Sequence, residues 1–386
     1  MAVPWRSPKL PVILSSTLIG IMGVALLGPV LPTLKGQFTV TDAQVGLVLT
    51  AYTAPGILLA PFVGLIADRV GRRRVLVPLL VVYGLAGTGI VAANSFDQLL
   101  VLRFRQGIGA SSLITLAVTL IGDYFDGRQR SEVVSLNSSV IGIGAAVFPA
   151  IGGALVLLSW QAPFAFFAVS LLVAVLALVV LDEPGVDRTA SFSGYAARLR
   201  GVLRNRTVLG MYAAALATYV LFYGGVLTAM PLLLDETYGL SALEIGVLLA
   251  LTSVASATIA SQNVTISERA DVSTVLGIAF VVFGTAFLGI WYTDSVLFMG
   301  TMLLLFGVGV GLTMPSIDRT LVTVVPADQR AGVLGLESSM IWSGQTIGPV
   351  LFPVLASEFF VSAGYSRLFF IAGTLSLLGG IVALQW

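Results

Sequence analysis

The sequence predicts an all-α integral membrane protein with twelve transmembrane helices, arranged as two parallel repeats of six helices, and with both termini in the cytoplasm. Three observations lead to this fold class: scarce charges, recurring apolar segments and an internal repeat. Charged residues make up 10% of the 386 residues and apolar residues 57%, whereas an ordinary soluble domain has about 25% charged residues. Because so few charges could not cover the surface of a soluble protein of this size, we expect the chain to lie in the cell membrane.

Charge-poor segments long enough to cross a bilayer, which takes about 20 mostly apolar residues, recur twelve times along the chain. The predicted spans are 10–34, 43–67, 75–96, 98–122, 133–158, 163–181, 207–234, 245–267, 272–293, 295–317, 331–356 and 366–385. A polar, Arg-rich stretch separates the sixth span from the seventh. We therefore predict an N-terminal six-helix bundle over residues 1–181, a cytoplasmic central loop over 182–206 and a C-terminal six-helix bundle over 207–386.

Lys and Arg are distributed very unevenly between the two ends of the predicted bundle. The loops on the side of the N-terminus carry fifteen of them, whereas the opposite loops carry Lys35 and Arg367. Positive residues accumulate in cytoplasmic loops, so both termini are predicted to be cytoplasmic. Each half then has an even number of spans, and the halves insert in the same orientation. Parallel repeats of this kind leave a site between them near mid-membrane that opens alternately to each side.

The two halves repeat each other at a constant offset of 200 residues. The segment from Phe38 to Gly46 is matched by the one from Tyr238 to Gly246, Asp68-Arg69 by Glu268-Arg269, and Ser138-Ser139 by Ser338-Ser339. Chance rarely keeps one gap-free offset in separate places, so the pattern indicates two homologous halves. The mismatches are where we expect coupling and substrate chemistry.

The loop between the second and third predicted spans contains the pattern Gly-x-x-x-Asp-Arg-x-Gly-Arg-Arg. Gly64 allows close helix approach, Asp68 precedes Arg72 by four residues, and Gly71 permits a tight turn. This pattern resembles the signature loop of the major facilitator superfamily; an ordinary positive loop with ion pairs is the alternative. The resemblance implies that Asp68 docks at the start of the eleventh span, near Ala331, and locks a cytoplasmic gate. The candidate gate residues are Gly64, Asp68, Arg69, Gly71, Arg72, Arg73, Glu268 and Arg269.

A second pattern, on the fourth span, places an Arg inside the hydrocarbon layer. It runs from Leu99 through Arg103 and Gln106 to Gly107 and Gly109, and it also resembles a pattern of this superfamily. An intramembrane Arg is costly and usually functional, although its side chain could instead extend to the outer surface. The resemblance implies that Arg103, with Gln106, takes part in proton coupling.

A third pattern combines Gly and Pro on the fifth span and again on the eleventh. Pro removes a helix hydrogen bond and small residues allow tight crossing. The fifth-span copy resembles the superfamily's antiporter signature, with Phe148 in place of one Gly. The resemblance favours drug:proton antiporters. The candidate helix-bend residues are Gly144, Pro149, Gly152, Gly153, Gly344, Gly348 and Pro349.

Acidic residues are rare inside the predicted spans, and the deepest candidates are Asp318 and Glu337, with Arg319 adjacent to the first. The matching positions of the first half hold Val118, Thr119 and Asn137. Two interpretations stay open: a closed set of ion pairs, or a proton-carrying carboxylate tuned by burial and by Arg319. The polar candidates for the wall of a substrate cavity are Tyr52, Asn137, Tyr219, Tyr223 and Gln345.

Composition also limits the cofactors and partners. The net charge is +1 and the chain has neither Cys nor His, so nucleic acid is not an implied partner and no metal or cofactor is expected. The chain contains no nucleotide-binding loop of the G-x-x-x-x-G-K-[ST] type. Because the usual catalytic groups are missing, we do not expect an enzyme.

Taken together, the resemblance implies a monomeric secondary active transporter that works by rocker-switch alternating access. The expected function is proton-driven export of a small amphipathic organic compound or drug, with the bilayer, the substrate and protons as partners. The first, second, seventh and eighth spans have no acid in their interiors. That observation leaves an alternative, a uniporter or symporter of a small neutral metabolite.

Overall fold

The computed structural model describes residues 3–183, 205–267, 270–326, 329–359 and 364–385. Within these ranges the regular structure is helical, and no strand occurs. The central loop predicted over 182–206 lies almost entirely outside the described residues, as do the gate candidates Glu268 and Arg269. The division into two bundles joined by this loop therefore stays a prediction.

Six helical segments precede the central stretch, and six follow it in the described part of the chain. The first six are α1 (Lys9–Phe38), α2 (Asp42–Val70), α3 (Arg72–Ala92), α4 (Phe96–Tyr124), α5 (Gly127–Val156) and α6 (Ala162–Val180). The others are α7 (Arg206–Tyr238), α8 (Ala242–Ser261, followed by a short helix Asn263–Ser267), α9 (Val272–Tyr292), α10 (Val296–Val324), α11 (Arg330–Phe359) and α12 (Gly364–Leu384). Short 3₁₀ segments interrupt α1 and end α3.

Eleven of these segments are long and apolar enough to cross a membrane. The exception is α11, which is 30 residues long but more polar, since it contains Glu337, Ser338, Ser339, Ser343 and Gln345. A helix with this composition needs polar or aqueous surroundings along one face. The count of twelve transmembrane helices and the cytoplasmic position of the termini stay predictions.

The helices extend beyond the predicted spans because a charge-poor stretch marks the apolar part of a helix and not its ends. α10 continues to Val324, seven residues past the predicted end at 317, and so includes Asp318 and Arg319. α5 begins at Gly127 and not at 133, because its first turns are charged. The span predicted over 245–267 is broken near Gln262.

The repeated segments form two equivalent turns. Thr39 and Gly239 both have left-handed backbone conformations, with φ of 52° and 62°, and end the preceding helix. Thr41 with Gln44 and Ser241 with Glu244 then form capping boxes that start α2 and α8. Each box satisfies backbone N–H groups that would otherwise lack partners. The offset in sequence thus becomes a repeated helix–turn–helix unit at one end of the bundle, which we call the outer end.

The two halves meet through two equivalent close crossings near the outer end. A Cβ added at Gly46 of α2 would lie 2.0 Å from the Pro349 carbonyl oxygen of α11, and one at Gly246 of α8 would lie 2.3 Å from the Pro149 carbonyl oxygen of α5. Gly246 and Pro349 are the 200-residue equivalents of Gly46 and Pro149. The interface is therefore self-complementary in the manner of a two-fold interface.

Inside the first half, Gly107 marks another close crossing, that of α4 against α2. A Cβ at Gly107 would lie 2.0 Å from the Tyr52 carbonyl oxygen, so Gly107→Val must push the helices apart. We expect a loss of about 1–3 kcal/mol and a lower unfolding midpoint in detergent by thermal scanning. Gly36 is the control, because a Cβ there meets nothing within 4 Å. An equal fall for Gly36→Val would contradict the packing argument.

Candidate functional site

The gate loop is folded back on its own half of the protein. Gly71 forms the turn between α2 and α3 with φ of 114°. Arg72 forms ion pairs with Asp68, at 2.8 Å, and with Asp123 at the end of α4, at 3.0 Å. This end of the bundle carries most of the Arg residues, and we call it the inner end. Docking of Asp68 on α11 stays a prediction for a different conformation.

Glu183 lies three residues after the end of α6 and binds the same loop, although the sequence interpretation did not select it. Its carboxylate accepts hydrogen bonds from the backbone N–H groups of Arg73 at 3.3 Å and Arg74 at 3.2 Å, and so caps the first turn of α3. The neighbouring Asp182 pairs with Lys9 at 2.8 Å. The hydrogen bond from Lys9 holds the pKa of Asp182 below its usual range. The sequence signal that could have pointed to Glu183 is the position of these two acids directly after an apolar span.

Arg103 lies fully buried inside the first half and does not extend to the outer surface. Its Nε donates to the Val48 carbonyl oxygen at 3.1 Å and its Nη2 to the Gly23 carbonyl oxygen at 2.9 Å. Nη1 donates to Gln106 Oε1 at 2.7 Å, and the guanidinium lies 4.1 Å from the centre of the Tyr52 ring. One planar side chain thus ties α1, α2 and α4 together, as a rigid fork of donors allows.

The Gly-Pro residues act in this conformation mainly as packing sites. A Cβ at Gly152 of α5 would lie 1.9 Å from the Leu26 carbonyl oxygen of α1, and one at Gly153 would lie 2.2 Å from the Ala242 carbonyl oxygen of α8. On α11, Gly344 and Gly348 each approach carbonyl oxygens of α7 within 2.7 Å of the added Cβ. Pro149 and Pro349 lie inside continuous helices. α7 itself contains a π-helical segment, Leu221–Ala229, opposite Gly348.

Asp318 of α10 and Glu337 of α11 lie close enough to each other for their carboxyl groups to interact. Asp318 is exposed although it lies inside a long apolar helix, whereas Glu337 is 3% exposed and its Oε1 has no hydrogen-bond partner among the described residues. Tyr219 of α7 lies close enough for the charges of both carboxyl groups to act on its phenol. We call these three residues the carboxylate site.

Arg319 does not join the carboxylate site. Consecutive residues on an α-helix point about 100° apart, and Arg319 faces α9, where it lines a small cavity of about 190 Å³ with Asp271 and Thr323. The expectation of one Asp318/Arg319/Glu337 cluster is therefore replaced by a pair of acids without the Arg.

The predicted cavity residues are divided between the interior of the helix bundles and the interface. Tyr52 is 1% exposed and packs against Arg103; Asn137 is 2% exposed and accepts a hydrogen bond from Thr17 at 2.7 Å. Tyr223 and Gln345 are buried, and Tyr219 is half-buried. Tyr219 is thus the cavity candidate that belongs to the carboxylate site.

The sequence interpretation missed four residues at the contact between the halves: Trp342, Gly56, Thr346 and Thr53. Trp342 of α11 packs on Gly56 of α2, where an added Cβ would lie 2.1 Å from its ring, and the Thr346 hydroxyl donates to Thr53 Oγ1 at 2.9 Å. Single Trp and Thr residues in apolar spans have no motif, so the sequence offered no signal for them.

Contacts between the halves lie towards the outer end. Ser339 of α11 donates to the Ile57 carbonyl oxygen of α2 at 3.1 Å, but a Cβ at Gly64, seven residues further along α2, would meet nothing within 4 Å. Ser138 and Ser139, on the inner half of α5, are exposed. The contacts named here thus lie at the outer end and near the middle of α2 and α11, whereas Asp318 is exposed towards the inner end of α10.

Eleven helices that are long and apolar enough to cross a membrane indicate a multi-pass membrane protein. The chain belongs to the Major Facilitator Superfamily, whose family model matches residues 13–335 and 218–386. It is a transporter of the cell membrane and not an enzyme.

Two bacterial exporters are similar to the chain over most of their length. The bacillibactin exporter of Bacillus subtilis (strain 168) is 26% identical over 362 residues, which is 89% of each chain. The multidrug efflux protein YfmO of the same strain is 26% identical over 375 residues, 95% of this chain and 90% of the relative. A bacterial homologue of the human lysosomal transporter Spinster, solved inward-facing and unoccupied, shares the fold with a TM-score of 0.78 at 17% identity, covering 100% of this chain and 96% of that one.

The gate interpretation predicts a specific effect of Asp68→Asn, which keeps the shape but removes the charge. We expect transport by reconstituted protein to fall about fivefold or more, the range of couplings between conformations, with membrane insertion and thermal midpoint unchanged. Glu132→Gln is the matched control, since Arg128 and Glu132 form another i,i+4 pair, at 3.0 Å, at the inner end. Normal transport by Asp68→Asn would show that this carboxylate has no gating role.

The Arg103 contacts predict that charge alone cannot replace the guanidinium. Arg103→Lys keeps a cation, but one ammonium group cannot reach acceptors on three helices. Buried carbonyl oxygens left without donors cost about 1–3 kcal/mol each, so the thermal midpoint should fall clearly. Arg105→Lys, at an exposed position of the same helix, is the control and should not change it. If Arg103→Lys and Arg105→Lys have the same thermal midpoint, Arg103 does not hold these helices together.

Proposed function

We propose that this transporter works by rocker-switch alternating access and exports a small amphipathic organic compound in exchange for protons. The observation that carries the proposal is the closeness of Asp318 and Glu337, whose carboxyl groups interact. Two carboxylates in contact repel each other when both are charged, and sharing one proton removes the repulsion. The pair is thus suited to bind and release a proton as its exposure changes.

The contacts at the outer end set the starting point of the proposed cycle. With the Arg-rich inner end in the cytoplasm, this arrangement would be an inward-facing conformation, closed towards the outside. A substrate would enter from the cytoplasm and reach Asp318, and a proton held by the pair would leave by the same route. After the halves rock and the outer crossings separate, the pair would face the outside, release the substrate and take up a proton there.

The chemistry of the proposed substrate site supports an amphipathic substrate. The indole of Trp342 and the phenol of Tyr219 offer apolar surface with polar edges, and the carboxylate site offers one place for a polar or cationic group. The names of the two bacterial relatives, a siderophore exporter and a multidrug efflux protein, favour export. We assign the gate role to the α2–α3 loop with Arg69 and Arg73. Arg103 and Gln106 would keep the first half rigid while it moves, and the chain would work as a monomer with no cofactor.

Transport in liposomes tests proton coupling directly. A lipophilic dye should move against its gradient when a pH gradient is imposed and should stop when the gradient is collapsed. Asp318→Asn and Glu337→Gln remove one acid each with little change of volume, and we expect at least about a tenfold loss of gradient-driven transport, or about 1.4 kcal/mol. Asp294→Asn, an exposed acid of the same half outside the carboxylate site, should transport normally.

Counterflow separates this proposal from the alternative of a uniporter or symporter. The two acid-to-amide variants should still exchange dye with no gradient present, because they lack only the proton-binding group. If the wild type shows counterflow and ignores collapse of the pH gradient, proton exchange is excluded and uniport becomes the function.

A further inference from the structure

A cluster of four polar residues joins the two halves at the outer end. Lys35 Nζ lies 2.5 Å from Asp42 Oδ1 and forms a second, closer ion pair with Glu236. The Tyr365 hydroxyl donates to Asp42 Oδ2 at 2.7 Å. We call Lys35, Asp42, Glu236 and Tyr365 the outer latch.

The latch connects helices that must separate when the outer end opens. Lys35 and Asp42 belong to α1 and α2 of the first half, whereas Glu236 and Tyr365 belong to α7 and α12 of the second. Two bonds therefore cross between the halves: Lys35 to Glu236, and Tyr365 to Asp42. Asp42 stands one helical turn from Gly46, so the latch lies next to the close crossing of α2 with α11.

Three of the four latch groups are partly shielded from water, whereas the Glu236 side chain is 40% exposed. The side chains of Lys35 and Asp42 are 31% and 20% exposed, and Tyr365 is 8% exposed. Asp42 also begins α2, where the N-terminal end of the helix favours a negative charge. A partly buried network of this kind is less screened by salt than a pair on the open surface.

The repeat does not account for these residues. The positions 200 residues away from Lys35, Asp42, Glu236 and Tyr365 hold Asp235, Ala242, Gly36 and Ala165. The glycine crossings, by contrast, occur in both halves and close the outer end by packing alone. The latch is therefore an addition to the symmetric scaffold, placed on one side of it.

We propose that the outer latch sets the balance between the outer-closed and outer-open conformations. Opening breaks both cross-half bonds while Lys35–Asp42 stays within the first half, so the latch favours the closed state. It thereby determines how often a loaded transporter opens to the outside. The proposal rests on the alternating access proposed above, but not on its coupling to protons or on its substrate.

Distances across the outer end test the latch without any substrate. The chain has no Cys, so spin labels at Asn94→Cys and Asp294→Cys, exposed and equivalent positions of the two outer loops, report the separation by double electron–electron resonance. The key variant is Glu236→Gln with Tyr365→Phe. It cuts both cross-half bonds, keeps Lys35–Asp42 and changes volume little.

We expect the ratio of long to short distances to rise about fivefold or more in this variant. Lys35→Gln, which removes the bond to Glu236 but keeps the one from Tyr365 to Asp42, should give a smaller shift in the same direction. Arg367→Gln is the control, because it removes the other basic residue of the outer end, which is exposed. A distribution identical to the wild type in both latch variants, with thermal midpoints showing folded protein, would overturn the latch. A failure of proton coupling in liposomes would leave this measurement unaffected.

Discussion

The rest of the structure depends on one kind of close approach between the two halves, in which a glycine packs directly against a backbone carbonyl oxygen of the other half. It occurs twice, at Gly46 with Pro349 and at Gly246 with Pro149, because the chain repeats itself. Backbones that touch without side chains between them can rotate about the contact more easily than interlocked side chains can. These two contacts hold the halves together at the outer end, so they must separate when that end opens.

On this symmetric frame the two halves carry different polar groups. The first half buries a cation, Arg103, and satisfies it with carbonyl oxygens and one amide. The second half has Leu303 at the matching position and instead holds two acids close to each other. Fully satisfied groups make a half rigid, whereas an acid pair with an unpartnered oxygen remains free to change its protonation. The first half is therefore suited to move as one rigid body, whereas the second half holds a site whose charge can vary.

The sequence predicted the helical class, the family and eleven of the spans, because bilayer thickness and the cost of charge in lipid act on every residue of a span. It predicted much less of the site. Asp318 and Arg319 are neighbours in sequence, yet their side chains point about 100° apart around the helix, and Arg319 faces α9. Tyr52 is of a residue type that suits a cavity wall, but it packs inside the first half. The sequence could not predict this, because the rotation of α2 about its axis cannot be determined from one apolar stretch. Trp342 contacts Gly56 across the halves, which only the tertiary arrangement reveals.

Why the acid pair exists in one half alone follows from a second comparison across the repeat. In the first half Thr17 of α1 donates to Asn137 of α5, so the amide oxygen is satisfied and buried. The equivalent positions of α7 and α11 are Ala217 and Glu337. Replacing Thr by Ala removes the hydroxyl donor, and replacing Asn by Glu lengthens the side chain and adds a charge. Among the described residues Glu337 has no hydrogen bond to α7 at that level, and it lies close to Asp318 of α10, whose counterpart in the first half is Val118. Three differences between otherwise repeated helices thus distinguish a structural hydrogen bond in the first half from an acid pair in the second half, the site that we propose binds a proton.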